Sequence, residues 1–285
     1  MIPAAFDYVR PSTLDEALGL IGPDAKVMAG GQSLLPLMKL RLATPEKVVD
    51  IGRLSELRGV RKLDDGRIAI GALTTYAEML ADPVLGHYGL LGDVLPGIAD
   101  VQTRHLGTIG GSVAHSDPAT EMPACLLALD AEVVARSTGG ERTLEIDGFF
   151  EGPFQTKLEP NEIVTEIRIP GPMDGAGSAY VSLAQPASGY AIVGVAAVVM
   201  RAPDGTIGFA RIGVTGAHEH PYRASDVEAA LVGSDGSASA IAAAAAHVSD
   251  DAECSSDIHA DATYRGAMAI VYTKRAIEAA LARLG

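Results

Sequence analysis

Two short loops, Ala29-Gly30-Gly31-Gln32-Ser33 and Thr108-Ile109-Gly110-Gly111-Ser112, carry the residue types best suited to chemistry in this chain, and they stand about eighty residues apart. Each follows an apolar, strand-like run. Glycine reaches φ > 0 without a Cβ penalty, so a Gly-Gly pair lets successive N–H groups turn into one concavity and hold an anion, helped by any helix that starts directly afterwards. Two such nests suit a diphosphate. A lone Gly-Gly pair also serves an ordinary tight turn; two of them in these local sequences make the more specific signal.

The elements that must position the loops follow from periodicity and capping residues. Ser12 and Thr13 ahead of Asp15 and Glu16 announce a helix over 12–21, Lys26 to Ala29 a buried strand, and Leu34 to Leu42 a helix that tolerates Pro36 in its first turn. The order is strand, glycine loop, helix. Val48 to Ile51 adds a strand and closes a first unit near residue 53. A second unit opens with a strand over Ile68–Ala72 and a helix capped by Thr75 and Glu78 that stops at Asp82-Pro83. Its further strands are Ser112–Ala114, Glu132–Ala135 and the alternating run Ile163–Ile169. The Gly/Pro-rich stretch 170–177 marks the main boundary. Beyond it, Tyr180–Leu183, Ala191–Met200 and Ile207–Val214 read as three strands. A capping box at Ser225/Glu228, an alanine-rich helix over 238–248 and an amphipathic helix over 264–284 complete the chain.

Composition bounds the function. A length of 285 residues suggests two domains, and 48% hydrophobic residues suffice for packed interiors. A formal charge of −14 argues against a nucleic-acid surface, which needs clustered Lys and Arg. No apolar run reaches the length of a membrane span, and the first residues lack a basic region followed by an apolar core, so the expected location is the cytoplasm. The two cysteines, Cys125 and Cys254, are too few to ligate an iron–sulfur cluster, so any cluster belongs to another chain.

The run Gly30-Gly31-Gln32-Ser33-Leu34-Leu35-Pro36 and the run Arg104 to Ser112, continuing through Asp117-Pro118-Ala119-Thr120-Glu121-Met122-Pro123, resemble the two FAD-binding motifs of the carbon monoxide dehydrogenase medium subunit and of the xanthine dehydrogenase flavin domain. The likeness extends from Phe6-Asp7-Tyr8-Val9-Arg10-Pro11 through Leu158-Glu159-Pro160-Asn161-Glu162-Ile163 to the helical tail. It implies an α+β architecture: a two-subdomain vanillyl-alcohol-oxidase-type FAD-binding domain over 1–173, with subdomains of about 1–53 and 54–173, then a domain over 178–285 built of a three-stranded antiparallel sheet and a helical bundle.

The resemblance also implies cofactor contacts. Gly30, Gly31, Gln32, Ser33 and Leu34 would hold the FAD diphosphate, with Lys26, Val27, Met28 and Ala29 lining the approach. Thr108, Ile109, Gly110, Gly111 and Ser112 form the second cradle, and Ala114 packs near the flavin ring. Glu121 stands where the family has an acid, usually Asp, that meets ribityl or ribose hydroxyls; a helix-start carboxylate is the plainer alternative. Leu158 matches a cofactor-touching position. Tyr190 matches an aromatic beside the isoalloxazine, its alternative being a strand tyrosine with a satisfied hydroxyl. One departure is Ser182, where the family often carries Lys, together with Gln185 and Ala187 in place of basic residues.

No residue is assigned as catalytic, and none as a metal ligand: His115 is read as a polar contact and His218-Glu219-His220-Pro221 as a surface loop. The family implies a molybdopterin-containing large subunit and a two-iron, two-sulfur small subunit in a heterotrimer, doubled. The chain would relay electrons from the cluster through FAD to an external acceptor. A stand-alone FAD oxidoreductase of the same fold superfamily and a cofactor-free scaffold subunit are the alternatives, the first weakened by the lack of a substrate-directed acid or base.

Overall fold

A computed structural model of the chain describes residues 1–250 and 253–284. Three main sheets follow one another along the sequence, with a two-stranded ribbon inside the second unit. The first unit comprises β1 (Asp7–Val9), α1 (Leu14–Leu18), β2 (Ala25–Met28), α2 (Leu34–Leu40) and β3 (Lys47–Asp50). Thr13 caps α1 by accepting from the Glu16 N–H, and the Glu16 carboxylate accepts from the Ser12 N–H and hydroxyl. Its strands are parallel in the order β1-β3-β2, so β2 delivers its C-terminal end, and the loop after it, to one edge. Leu14, Ala17 and Leu18 of α1 bury against Val49 and Ile51 to form this unit's core.

The second unit holds β4 (Val60–Lys62), β5 (Ile68–Gly71), α3 (Tyr76–Ala81), α4 (Gly89–Val94), α5 (Val101–Arg104), α6 (Ile109–His115), α7 (Glu121–Ala128), β6 (Glu132–Ser137), β7 (Gly140–Glu145), β8 (Phe150–Gly152), β9 (Gln155–Thr156) and β10 (Ile163–Ile169). Its antiparallel sheet runs β4-β5-β10-β6-β7, with β8 and β9 as a separate ribbon. The expected capping box forms: Thr75 Oγ1 accepts from the Glu78 N–H and Glu78 Oε2 accepts from the Thr75 N–H (2.7 Å). The alternation in β10 does not put its polar positions in water, because β10 is central and Glu166 is buried against Arg61 and Arg168.

Ser112–Ala114 is helical, not a strand. Thr108 accepts from the Gly111 N–H with its hydroxyl and from the Ser112 N–H with its carbonyl, which starts α6 and leaves these residues without a strand edge to join. For the same reason the second glycine loop follows the short helix α5 and a turn, whereas the first does follow a strand.

The third unit comprises β11 (Gly177–Ala184), β12 (Ala191–Arg201), β13 (Ile207–Thr215), β14 (Tyr222–Arg223), α8 (Ser225–Leu231), α9 (Ala238–Ala245) and α10 (Ala262–Leu281). Its antiparallel sheet has a short fourth strand, β14, beyond the three expected. Ser225 and Glu228 make no capping box. Glu228 instead takes the Arg223 guanidinium and the Ile212 N–H, a stronger pull than a cap. All eight residues of α7 are buried, because this helix lies between the second unit's core and the face of the third unit's sheet.

Candidate functional site

The two glycine loops converge. A Cβ on Gly30 would fall inside the Leu106 carbonyl oxygen, and one on Gly111 would stand 3.8 Å from the Ala29 Cβ. Gly31 sits at φ +71°, the left-handed conformation that turns the chain between β2 and α2. Gly110 is needed for close approach, since a Cβ there would come within 2.8 Å of the Ala72 carbonyl oxygen. Lys26 on β2 acts electrostatically on His115 of α6, a further link between the first and second units.

The loops differ in what their backbones have left to give. In the first, none of the N–H groups of Gly30, Gly31, Gln32, Ser33 and Leu34 donates to an acceptor among the described residues, and Ser33 does not cap its own helix. The Gln32 side chain folds back to the Gly30 carbonyl (2.9 Å). Consecutive unspent amides beside a left-handed glycine form an anion-binding nest. In the second loop the amides are committed: Ile109 N–H to the Thr74 carbonyl (3.1 Å), Gly110 N–H to the Ala72 carbonyl (2.9 Å), and Gly111 and Ser112 N–H to Thr108. The expectation of a second amide cradle is corrected accordingly. What this loop offers is the buried Ser112 hydroxyl, which makes no well-formed hydrogen bond but has the Tyr76 phenol close enough to act on it.

Glu121, the first residue of α7, closes the site from below. It is 7% exposed, and burial, with the Asp117 charge adding to it, pushes its carboxyl up to about 7. Tyr76, Tyr180 and Tyr190 all sense its charge. Tyr190 is not in a strand; it belongs to the hairpin loop between β11 and β12 and is 44% exposed, its N–H reaching the Ser188 hydroxyl and its carbonyl accepting from the Gln185 N–H (2.8 Å). This hairpin brings the third unit to the site. Ser182 lies on β11 beside the buried Tyr180 phenol.

The remaining expected positions are placed as follows. Val27, Met28, Ala29 and Leu34 are half-buried along the approach to the first loop, and Lys26 and Ala114 are exposed. Thr108 and Ile109 are buried under the second loop. Leu158 is half-buried against the second unit's core, its N–H on Thr156 Oγ1. Tyr76, absent from the expected set, is the phenol that joins Ser112 to Glu121 and Tyr190; its place directly after the Thr75 cap was the only sequence signal for it. His115 stacks near Phe154 (ring centroids 5.0 Å), and burial lowers its pKa. Among the described residues no group of three or more His, Cys, Asp or Glu is placed to hold a metal ion.

An unspent amide row, a buried hydroxyl and a buried acid fit a ligand that carries both a diphosphate and a polyol, as FAD does. Comparison with known proteins agrees. A family described as the FAD binding domain in molybdopterin dehydrogenase matches residues 4–172, and one described as the CO dehydrogenase flavoprotein C-terminal domain matches residues 178–280. The chain is 40% identical over 287 residues to the carbon monoxide dehydrogenase medium chain of Hydrogenophaga pseudoflava, covering 99% of each. It is 37% identical over 287 residues to the 6-hydroxypseudooxynicotine dehydrogenase complex subunit alpha of Paenarthrobacter nicotinovorans, covering 99% of this chain and 97% of that one. The solved carbon monoxide dehydrogenase from Hydrogenophaga pseudoflava that lacks the Mo-pyranopterin moiety of its cofactor matches with a TM-score of 0.96 at 41% identity, covering 100% of both chains. Quinoline 2-oxidoreductase from Pseudomonas putida 86 matches with a TM-score of 0.91 at 33% identity, again over 100% of both. With an unspent amide row, a buried acid and whole-length likeness in hand, the chain belongs to the molybdenum hydroxylase family as an FAD-binding medium subunit of the carbon monoxide dehydrogenase type, an oxidoreductase flavoprotein.

Proposed function

We propose that this chain is the electron-transfer flavoprotein of a molybdenum hydroxylase, taking electrons from a two-iron, two-sulfur subunit and passing them to an external acceptor. The carrying observation is the row of backbone N–H groups from Gly30 to Leu34 without an acceptor among the described residues, with the buried Ser112 hydroxyl across from it. These residues hold the FAD diphosphate, and Glu121 meets the polyol. Lys26, Val27, Met28 and Ala29 line the first loop, while Thr108, Ile109, Gly110 and Gly111 fix the second against Ala72 and Thr74. Ala114, Leu158 and Tyr190 flank the flavin end, the Tyr190 ring limiting solvent access.

Bound FAD supplies redox chemistry in one- or two-electron steps. The chain itself positions and tunes; no side chain is needed as nucleophile or general acid. In this division of labour, 1–173 is a vanillyl-alcohol-oxidase-type FAD domain with subdomains of about 1–53 and 54–173, and 178–285 is the C-terminal module. A molybdopterin-containing large subunit and the iron–sulfur small subunit are the partners, in a doubled heterotrimer in the cytoplasm. Relatives named for carbon monoxide, 6-hydroxypseudooxynicotine and glyceraldehyde stand at 40%, 37% and 35% identity. This near-equality supports placing substrate choice on another polypeptide. Ser182, without the lysine's charge, leaves the flavin's electrostatics to Glu121 and its phenols.

The test is purification of the tagged chain from its native host with its partners, an absorption spectrum and metal analysis. The expected result is a yellow complex containing iron and molybdenum. A colourless folded chain that fails to take up added FAD overturns the proposal.

A further inference from the structure

Glu121 is buried, and no cation among the described residues pairs with it. Asp117 faces it from the turn entering α7, Tyr76 from α3, Tyr180 from β11, Tyr190 from the β11–β12 hairpin, and Cys125 lies one turn further along α7. Among the described residues, the one group hydrogen-bonded to it is its own backbone N–H. The guanidinium groups near the other end of α7, those of Arg211 and Arg223, are occupied by Asp130, Asp147 and Glu228. The result is an acid that shares its enclosure with another carboxylate and three phenols. Burial holds its pKa up to about 7 before any ligand arrives.

A polyol does not choose between the two forms of this acid. Each hydroxyl both donates and accepts, so it satisfies a protonated carboxyl as well as an ionised one. Two other effects do choose. The ligand excludes the remaining water, and its diphosphate adds negative charge to a site that already lacks positive charge around Glu121. Both disfavour the carboxylate.

We propose that FAD binding is coupled to proton uptake at Glu121, so that the loaded protein carries this carboxyl neutral near pH 7 and its hold on FAD weakens as pH rises. This rests on the FAD site described above and adds its regulation. Glu121 is then a hydrogen-bonding acid in the loaded protein and adds no charge of its own against the cofactor's diphosphate.

Titration calorimetry of the full chain with FAD, in two buffers of different ionisation enthalpy at pH 7.5, reads the proton count directly. Roughly half a proton or more is taken up per FAD, and Kd rises about fivefold between pH 7 and pH 8. Glu121→Gln, which mimics the neutral acid, binds FAD without proton uptake and with Kd flat across this interval. An infrared difference spectrum of the wild-type chain, bound minus free, gains a carboxylic acid carbonyl band, a readout that stands even if the variant fails to fold. FAD binding with no uptake, with proton release, or with uptake retained in Glu121→Gln overturns the proposal and leaves the FAD site standing. Failure of the folded chain to bind FAD overturns both.

Discussion

His218 lies inside the protein, 4% exposed, its ring stacked on Tyr222 with centroids 4.1 Å apart and an interplanar angle of 5°. The expected surface loop around it is therefore only partly exposed, because Gly216 to His218 tuck beneath α10 while Glu219 remains outside. Burial depresses the His218 pKa to about 4 from 6.5. The unfolded chain thus binds this proton at a higher pH than the folded one. The stabilisation from a neutral ring is complete above pH 6.5 and is lost as pH falls from 6.5 toward 4, by on the order of 3 kcal/mol. His218→Phe, which keeps the stack and removes the titration, should flatten denaturant-measured stability over that range; an unchanged acid slope would show that the loss arises elsewhere. The glycine loops, Ser112 included, were legible from residue type and spacing, and Glu121 only through the resemblance to the family's motif. Tyr76 was not, because nothing local shows that a phenol on α3 will be folded against the start of α7, four helices later in the same unit.

Among the elements, capping chemistry was the most dependable guide. Thr13 and Thr75 each cap the helix that their spacing announces, and the structure adds a Ser237 cap on α9. The failures share a cause, which is competition from tertiary partners. Glu228 is drawn to Arg223, and Ser112–Ala114 enters a helix because Thr108 caps it and Gly110 must lie flat on Ala72. The long helix α10 departs from expectation in a related way. Its most buried positions include Ala269, Thr273, Ala276, Ile277 and Ala280, so small residues set its distance from β12, and Met268 and Leu281 lie at the margin. The two glycine loops, proposed to hold FAD, make an element-scale prediction. Gly30→Ala places a Cβ within the Leu106 carbonyl and must push the loops apart. FAD affinity measured by flavin fluorescence should fall at least about tenfold, or about 1.4 kcal/mol, with little change in far-ultraviolet dichroism. Unaltered affinity would mean that the contact between the loops does not shape the nest.

For the whole molecule, α7 is the element that ties the cofactor site to the third unit. Gly213 of β13 has no side chain because a Cβ there would strike the Ala124 carbonyl, so helix and sheet touch backbone to backbone. Gly213→Val should cost about 1–3 kcal/mol through overpacking. It should also loosen FAD, since α7 carries Glu121; wild-type FAD affinity in a destabilised variant would sever that link. Polar staples reinforce the same junction: Asp130 binds both Arg211 and Arg223, and Asp93 binds Arg283. The Gly/Pro stretch at 170–177 is visible in sequence, but the weld across it is not, because its contacts come from residues far apart in the chain.

The Thr215 hydroxyl and the Gly216 amide grip the carbonyls of Pro118 and Thr120, and the Ala191 amide reaches that of Ala119. Those carbonyls belong to the turn that aims Glu121. A gene fragment trimmed at the linker would therefore yield a flavin pocket whose floor has lost its anchorage, and grafting this cofactor module onto another scaffold requires carrying the trailing sheet along with it.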